Sequence, residues 1–309
     1  GFTSYSGLLK LGRQAHDDRF VKKASATIAG ESAQEDQALE ESELADSVSL
    51  SSAADWSGLG SGTVLGTDIH QLLDAAARRG FSEVASFSSN EMQSFVQAQG
   101  FSLQQQQPFA NWLAAHLNLP LFAPSQVQSL GLSTSPSLAS LKVYAPEMEF
   151  WLPAQRLSLK ALDHWLHKNC LQSMQHAGRV SRPPLTHQHF QGMVKGFIDL
   201  CFEHEGRYFI SDYKSNWLGD QAVSYQDQGL MQAIAEHRYD LQYSLYCLAL
   251  HRHLRARLQH DYDPTRHMGG ALYLFLRGKT KPDAGRYFQP FTPSQLNELE
   301  QLLNLQDNQ

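Results

Sequence analysis

The chain has 309 residues, 42% hydrophobic and 18% charged, with a formal net charge of −6, the profile of an ordinary globular protein with a sizeable core. The clearest apolar run, Ala271–Leu276, is far short of the ~20 residues a membrane-spanning helix needs, so no membrane partner is expected. The opening GFTSYSGLLKLGRQ lacks the apolar core of a secretory leader, which points to the cytoplasm.

From the N-terminus, residues 1–29 read as a segment leading into the main domain, with FTSYSGLL followed by a short amphipathic stretch. Residues 30–62, rich in Ser, Ala, Glu and Asp, read as an acidic flexible linker. Within it, residues 31–61 carry eight acids and no Lys or Arg, so the remainder of the chain has a charge of about +2. That balance is compatible with a basic groove for nucleic acid. Residues 63–309 are assigned to one domain. It opens with a helix over Thr67–Arg79, with Thr67 as cap, Arg78 and Arg79 in the last turn, and Gly80 as terminator. Ser125–Ser140 reads as a surface loop, and the alternation around Glu147–Leu152 as a strand. Two strands follow over Met193–Ser215, then a long helix over Leu230–Leu258 and a strand over Ala271–Arg277. The three cysteines, Cys170, Cys201 and Cys247, are too scattered for a disulfide or metal framework and are expected as buried thiols.

The informative segment is KGFIDLCFEHEGRYFISDYKS, Lys195–Ser215. Two runs rich in aromatic and β-branched residues flank Glu205-Gly206, a tight-turn pair. With those two residues as the turn, His204 faces Arg207 and Asp199 faces Asp212 on one side of the sheet. Lys214, two residues on, points the same way. Like charges directly opposed are destabilising, so two aspartates there call for a cation. A hard divalent ion held by carboxylate oxygens supplies one. The bland alternative is an exposed hairpin on which Lys214 merely neutralises the acids, and a one-residue slip would separate them.

Asp199 followed by Asp212-Tyr213-Lys214 resembles the PD-(D/E)xK nuclease superfamily. The wider text is more specific. GFIDLCFEHEGRYFISDYKSNWLG, AIAEHRYDLQYSLYCLALHRHLRARL, TSYSGL, GTDIHQLLDA, PEMEFWLP and GGALYLFLRG are similar, in the same order, to the C-terminal nuclease domains of the RecB family. The resemblance implies an α/β fold, a restriction-endonuclease-like core with a mixed central sheet flanked by helices. It implies a divalent-metal-dependent exo- and endodeoxyribonuclease acting mainly on single-stranded DNA in break processing and recombination, with RecC, RecD and RecA as partners. Carried over by position, His70, Asp199, Asp212 and the carbonyl of Tyr213 hold Mg²⁺, with Mn²⁺ or Ca²⁺ as substitutes. Lys214 is the catalytic lysine, and Glu147 the upstream acid, with Glu149 as a rival from spacing. Gln242 and Tyr246 form a Q-x₃-Y signature whose i, i+4 spacing puts both on one helical face.

Two other readings stand beside this one. A nuclease fold without activity would serve as a docking module for proteins such as RecA, and a metal-dependent hydrolase would act on something other than DNA. No G-x-x-x-x-G-K-[ST] phosphate loop occurs, so no nucleotide-driven helicase motor is expected within this chain.

Overall fold

A computed structural model describes residues 2–13, 63–170, 182–185, 189–279 and 284–304. The proposed acidic linker, residues 30–62, lies outside the described residues. The architecture is α/β, one six-stranded mixed sheet with helices on both faces. Strand β1 (Phe2–Thr3) runs parallel to β3 (His189–His204), and β2 (Val143–Ser158) runs antiparallel to β3 along nearly its whole length. On the other edge of β3 lies β4 (Arg207–Lys214), antiparallel to it; β5 (Met268–Phe275) follows in parallel and β6 (Arg286–Gln289) closes the order.

The turn between β3 and β4 is Glu205-Gly206, as its chemistry demands. Both residues have positive φ, +50° and +79°, the backbone of a two-residue hairpin matched to strand twist. The expected register follows, with His204 opposite Arg207 and each rung in step down to Leu200 opposite Ser211.

Alternation along β4 and β5 divides the core between the two faces. Ile210, Ala271, Tyr273 and Phe275 belong to one apolar cluster, while Phe209, Tyr213, Leu272 and Leu274 belong to the other. Before β2 come α1 (Tyr5–Arg13), α2 (Thr63–Arg79), α3 (Phe81–Ala85), α4 (Ser89–Ala98), α5 (Leu103–Asn118) and α6 (Pro124–Leu130). The apolar sides of α2 to α5 cover the second cluster. The first is covered by α7 (Leu159–Cys170), α8 (Asp227–Glu236), α9 (Tyr239–Leu258) and, after the short α10 (Pro264–His267), by α11 (Pro293–Asn304). Cys170, Cys201 and Cys247 are buried free thiols.

Three local expectations need correction. The helix carrying His70 starts at Thr63, so Thr67 lies in its second turn and does not cap it. Ser125–Ser140 is not a plain loop. Pro124 at the first turn and Gly131 in the left-handed conformation bound a helix there, and the Gln126 side chain accepts the N–H of Ala123. The long helix expected over Leu230–Leu258 is two helices broken at Arg238, which adopts φ +58°. That guanidinium is fully buried and donates to Asp240, Asp163 and the carbonyl of Pro183. The pairing holds the break.

Candidate active site

The site lies where β3 and β4 part. Their pairing stops at Leu200–Ser211, and β1 takes up the same edge of β3 only at Val194. Asp199 and Asp212 are the first residues beyond the last rung. There the Asp199 carboxylate replaces a strand carbonyl, with Oδ2 accepting the backbone N–H of Tyr213 at 2.7 Å. The N–H and C=O of one strand residue face the same edge, so the Tyr213 carbonyl also points to the gap beside β3. Lys214 alternates the other way, its carbonyl accepting the N–H of Leu276 across β5.

Burial makes these charges expensive. Asp199, Asp212 and Lys214 are 7%, 3% and 7% exposed, which removes the exposed-hairpin reading. Lys214 Nζ is 2.8 Å from Asp212 Oδ2, but out of line for a hydrogen bond, and that buried oxygen has no hydrogen-bond partner. Burial raises the Asp212 carboxyl to about 6; Asp199 adds to the rise, and Lys214 and His70 oppose it. Carboxylates in low dielectric beside other carboxylates hold their protons unless positive charge is supplied.

His70, on α2, approaches from the opposite side of the sheet to α9. Its Nδ1 is 3.5 Å from Asp199 Oδ2, and its ring stands edge-on to Tyr213 at 5.8 Å. Glu147 occupies the β2 position across from Asp199, between the rungs Pro146–Leu200 and Met148–Ile198. Its φ of +47° breaks the regular strand there, the kind of strained backbone that clusters at functional sites. Burial lifts the Glu147 carboxyl to about 8, reinforced by Asp199, Asp74 and Asp212. The rival, Glu149, points away onto the exposed face and pairs with Lys195 at 2.9 Å.

Gln242 and Tyr246 lie together on α9, as their spacing predicts. Gln242 Oε1 accepts from Lys214 Nζ at 3.1 Å, and its Nε2 donates to the Tyr246 hydroxyl at 3.2 Å. Two participants were missed by sequence reasoning. The Tyr273 hydroxyl donates to the same Gln242 oxygen at 2.7 Å, and the Tyr239 ring lies under Lys214 Nζ, 3.9 Å from its centroid. Tyr239 is three residues before Gln242, on one helical face with it, and that spacing was a usable signal. Tyr273 sits beside Asp212 in the parallel register, which only a correct strand pairing reveals.

The donor set fits a hard divalent cation. Two buried carboxylates, one with an oxygen lacking a hydrogen-bond partner, lie with an imidazole and a backbone carbonyl about the parting of β3 and β4, and burial, reinforced by neighbouring carboxylates, raises the Asp212 and Glu147 carboxyls. Among the described residues, no three His, Cys, Asp or Glu side chains are already gathered around a common point as ligands would be. The basic stretch His251–Arg257 is partly spoken for: Arg252 and Arg255 pair with Glu300, and His251 accepts or donates at the Tyr262 hydroxyl.

Known proteins match much of this chain in sequence. The model of the PD-(D/E)XK nuclease superfamily matches residues 57–306. The RecB subunit of the RecBCD enzyme of Escherichia coli (strain K12) is 44% identical over 191 residues, covering 61% of this chain and 15% of that protein. The Haemophilus influenzae RecB subunit is 35% identical over 192 residues, covering 62% of this chain and 14% of its own. That of Mycobacterium tuberculosis (strain H37Rv) is 45% identical over 104 residues, or 33% and 9%. The chain thus spans at most 15% of the length of these relatives.

Proposed function

The chain belongs to the PD-(D/E)XK nuclease superfamily, and from that premise we propose that it cuts DNA, chiefly single-stranded, as the nuclease domain of a RecBCD-type helicase–nuclease. The observation that carries this reading is the burial of Asp199, Asp212 and Lys214 together where β3 and β4 part. The likeness to RecB subunits of RecBCD enzymes supports RecC and RecD as partners, and recruitment of RecA is part of the same proposal. A docking module without activity is the weaker reading, because a binding surface gains nothing from internal, destabilising charge. Among the described residues no helix is long and apolar enough to cross a membrane.

Asp199, Asp212, His70 and the Tyr213 carbonyl would hold the cation, for which Mg²⁺ is the first choice and Mn²⁺ the substitute that an imidazole favours. Held there, a divalent ion would supply Lewis acidity toward a phosphoryl oxygen and toward water. Lys214 Nζ, directed by Gln242 Oε1, is set to hold the attacking water and to offset negative charge on the phosphate. Tyr246 keeps the Gln242 amide from turning. Glu147, which retains its proton near neutral pH in the metal-free site, is a reservoir facing Asp199. Binding through phosphates makes the activity salt-sensitive.

The experiment is degradation of labelled single-stranded DNA by this chain with Mg²⁺, with EDTA, and after Asp212→Ala. Cutting that disappears in both controls supports the reading. Cutting that survives Asp212→Ala removes this site from consideration. No cutting at low salt by a folded chain favours the docking module.

A further inference from the structure

The Lys214 ammonium is buried over the face of an aromatic ring as well as beside a carboxylate. Lys214 Nζ can donate three hydrogen bonds. One goes to Gln242 Oε1, while Asp212 Oδ2 lies 2.8 Å away but off the bonding direction. Two aromatic contacts accompany these. Nζ stands 3.9 Å from the centroid of Tyr239 and 5.4 Å from that of Tyr273, both inside the ~6 Å range over which a ring face attracts a cation.

Both rings are fixed. Tyr239 is 4% exposed, its hydroxyl donates to Asn216 Oδ1 at 3.2 Å, and its ring packs against Tyr273 with centroids 5.8 Å apart. Tyr273 is fully buried, and its hydroxyl and the ammonium share Gln242 Oε1 as acceptor. A ring face attracts the charge yet neither gives nor takes a proton. It can therefore steady Nζ without consuming the donor that a water in front of the two aspartates needs. A ring face at 3.9 Å also opposes a swing of the ammonium into line with Asp212, which would close the pair on itself.

We propose that Tyr239 is a positioning residue whose ring face seats the Lys214 ammonium, with Tyr273 fixing the same ammonium's direction through Gln242. The rate consequence rests on the nuclease reading above, whereas the seat itself does not.

The test uses the whole chain with ¹³C-labelled lysine. The Lys214 ε-CH₂ signal, assigned by its loss in Lys214→Arg, should lie upfield of the other lysines through the ring current of Tyr239. Tyr239→Phe should keep that shift and Tyr239→Leu should abolish it. In metal-dependent cutting of single-stranded DNA, Tyr239→Leu should lower kcat roughly tenfold with KM little changed, and Tyr239→Phe should restore the rate. A wild-type Lys214 signal among the ordinary lysines overturns the seat, as does a folded Leu variant that cuts at full rate. Should the Leu variant fail to fold, the wild-type and Phe shifts decide alone. If the wild-type chain cuts nothing while the upfield signal is present, the seat stands and the nuclease reading fails.

Discussion

The Asp199 carboxylate accepts the backbone N–H of Tyr213 at 2.7 Å, one step beyond the last rung between their strands. It therefore has two duties. One oxygen caps the ladder, so that β4 can leave β3 without burying an orphan amide, and the group as a whole brings negative charge to the gap thus opened. Position and chemistry are inseparable at this residue. A substitution there is read through both.

Asp199→Asn retains an acceptor for the Tyr213 amide, whereas Asp199→Ala leaves that N–H buried and unpaired, at a cost of about 1–3 kcal/mol. Urea unfolding in EDTA should show the alanine variant clearly weaker than the asparagine one. Both should lose cutting. Equal stabilities would mean that water satisfies the amide and that the cap is dispensable.

Glu147 predicts a pH dependence of the metal-free protein. Its folded carboxyl titrates at about 8 against an ordinary value of 4.5. Between those values the folded chain binds more protons than the unfolded one, so stability falls as pH rises from 4.5 to 8 and levels off above. Glu147→Gln removes this loss. Its Tm in EDTA, relative to wild type, should climb from pH 5 to pH 8.5. A constant gap across that range would mean that Glu147 ionises normally.

The break at Arg238 gives a stability prediction with no part in chemistry. Its guanidinium and that of Arg182 together neutralise Asp163 and Asp240. Arg238→Ala removes one partner of a buried pair, which costs about 3–5 kcal/mol. A drop in the urea midpoint with an unchanged slope would show this. A loss below 1 kcal/mol would mean that Arg182 compensates alone.

How far these features were legible in the sequence depends on how local their causes are. The Glu205-Gly206 turn sets the hairpin register down to Leu200 opposite Ser211, and that register brings Asp199 and Asp212 to the positions just beyond the last rung. The i, i+4 pair Gln242 and Tyr246 is equally local. Arg238 is not: helix periodicity runs through it, and only Asp163, Arg182 and Pro183, distant in sequence, reveal why the chain turns there. The choice of Glu147 over Glu149 was likewise open to spacing, because a positive φ at a single residue redirects the strand. Tyr273 needed the β4–β5 register, a pairing between segments more than fifty residues apart. The expectation that His70 is a ligand rested on resemblance, since a histidine on a helix carries no local mark of such a role.

The sharpest consequence of the site's electrostatics is a trade of stability against function at Asp212. Its carboxyl is raised to about 6 from 3.8 even with Lys214 only 2.8 Å away, so above pH 6 the ionised form opposes folding. Asparagine imitates the protonated acid in shape and removes that opposition, by an amount on the order of 1–3 kcal/mol. In EDTA at pH 8, Asp212→Asn should therefore melt above wild type. With Mg²⁺ the order should narrow or reverse, because a cation that binds only the folded state stabilises wild type by mass action and finds one carboxylate fewer in the variant. Cutting should be lost in the same variant. A variant that melts below wild type in EDTA would mean that the Lys214–Asp212 attraction outweighs burial and the repulsion from Asp199. The site would then be a stable ion pair and not a charge deficit waiting for a metal.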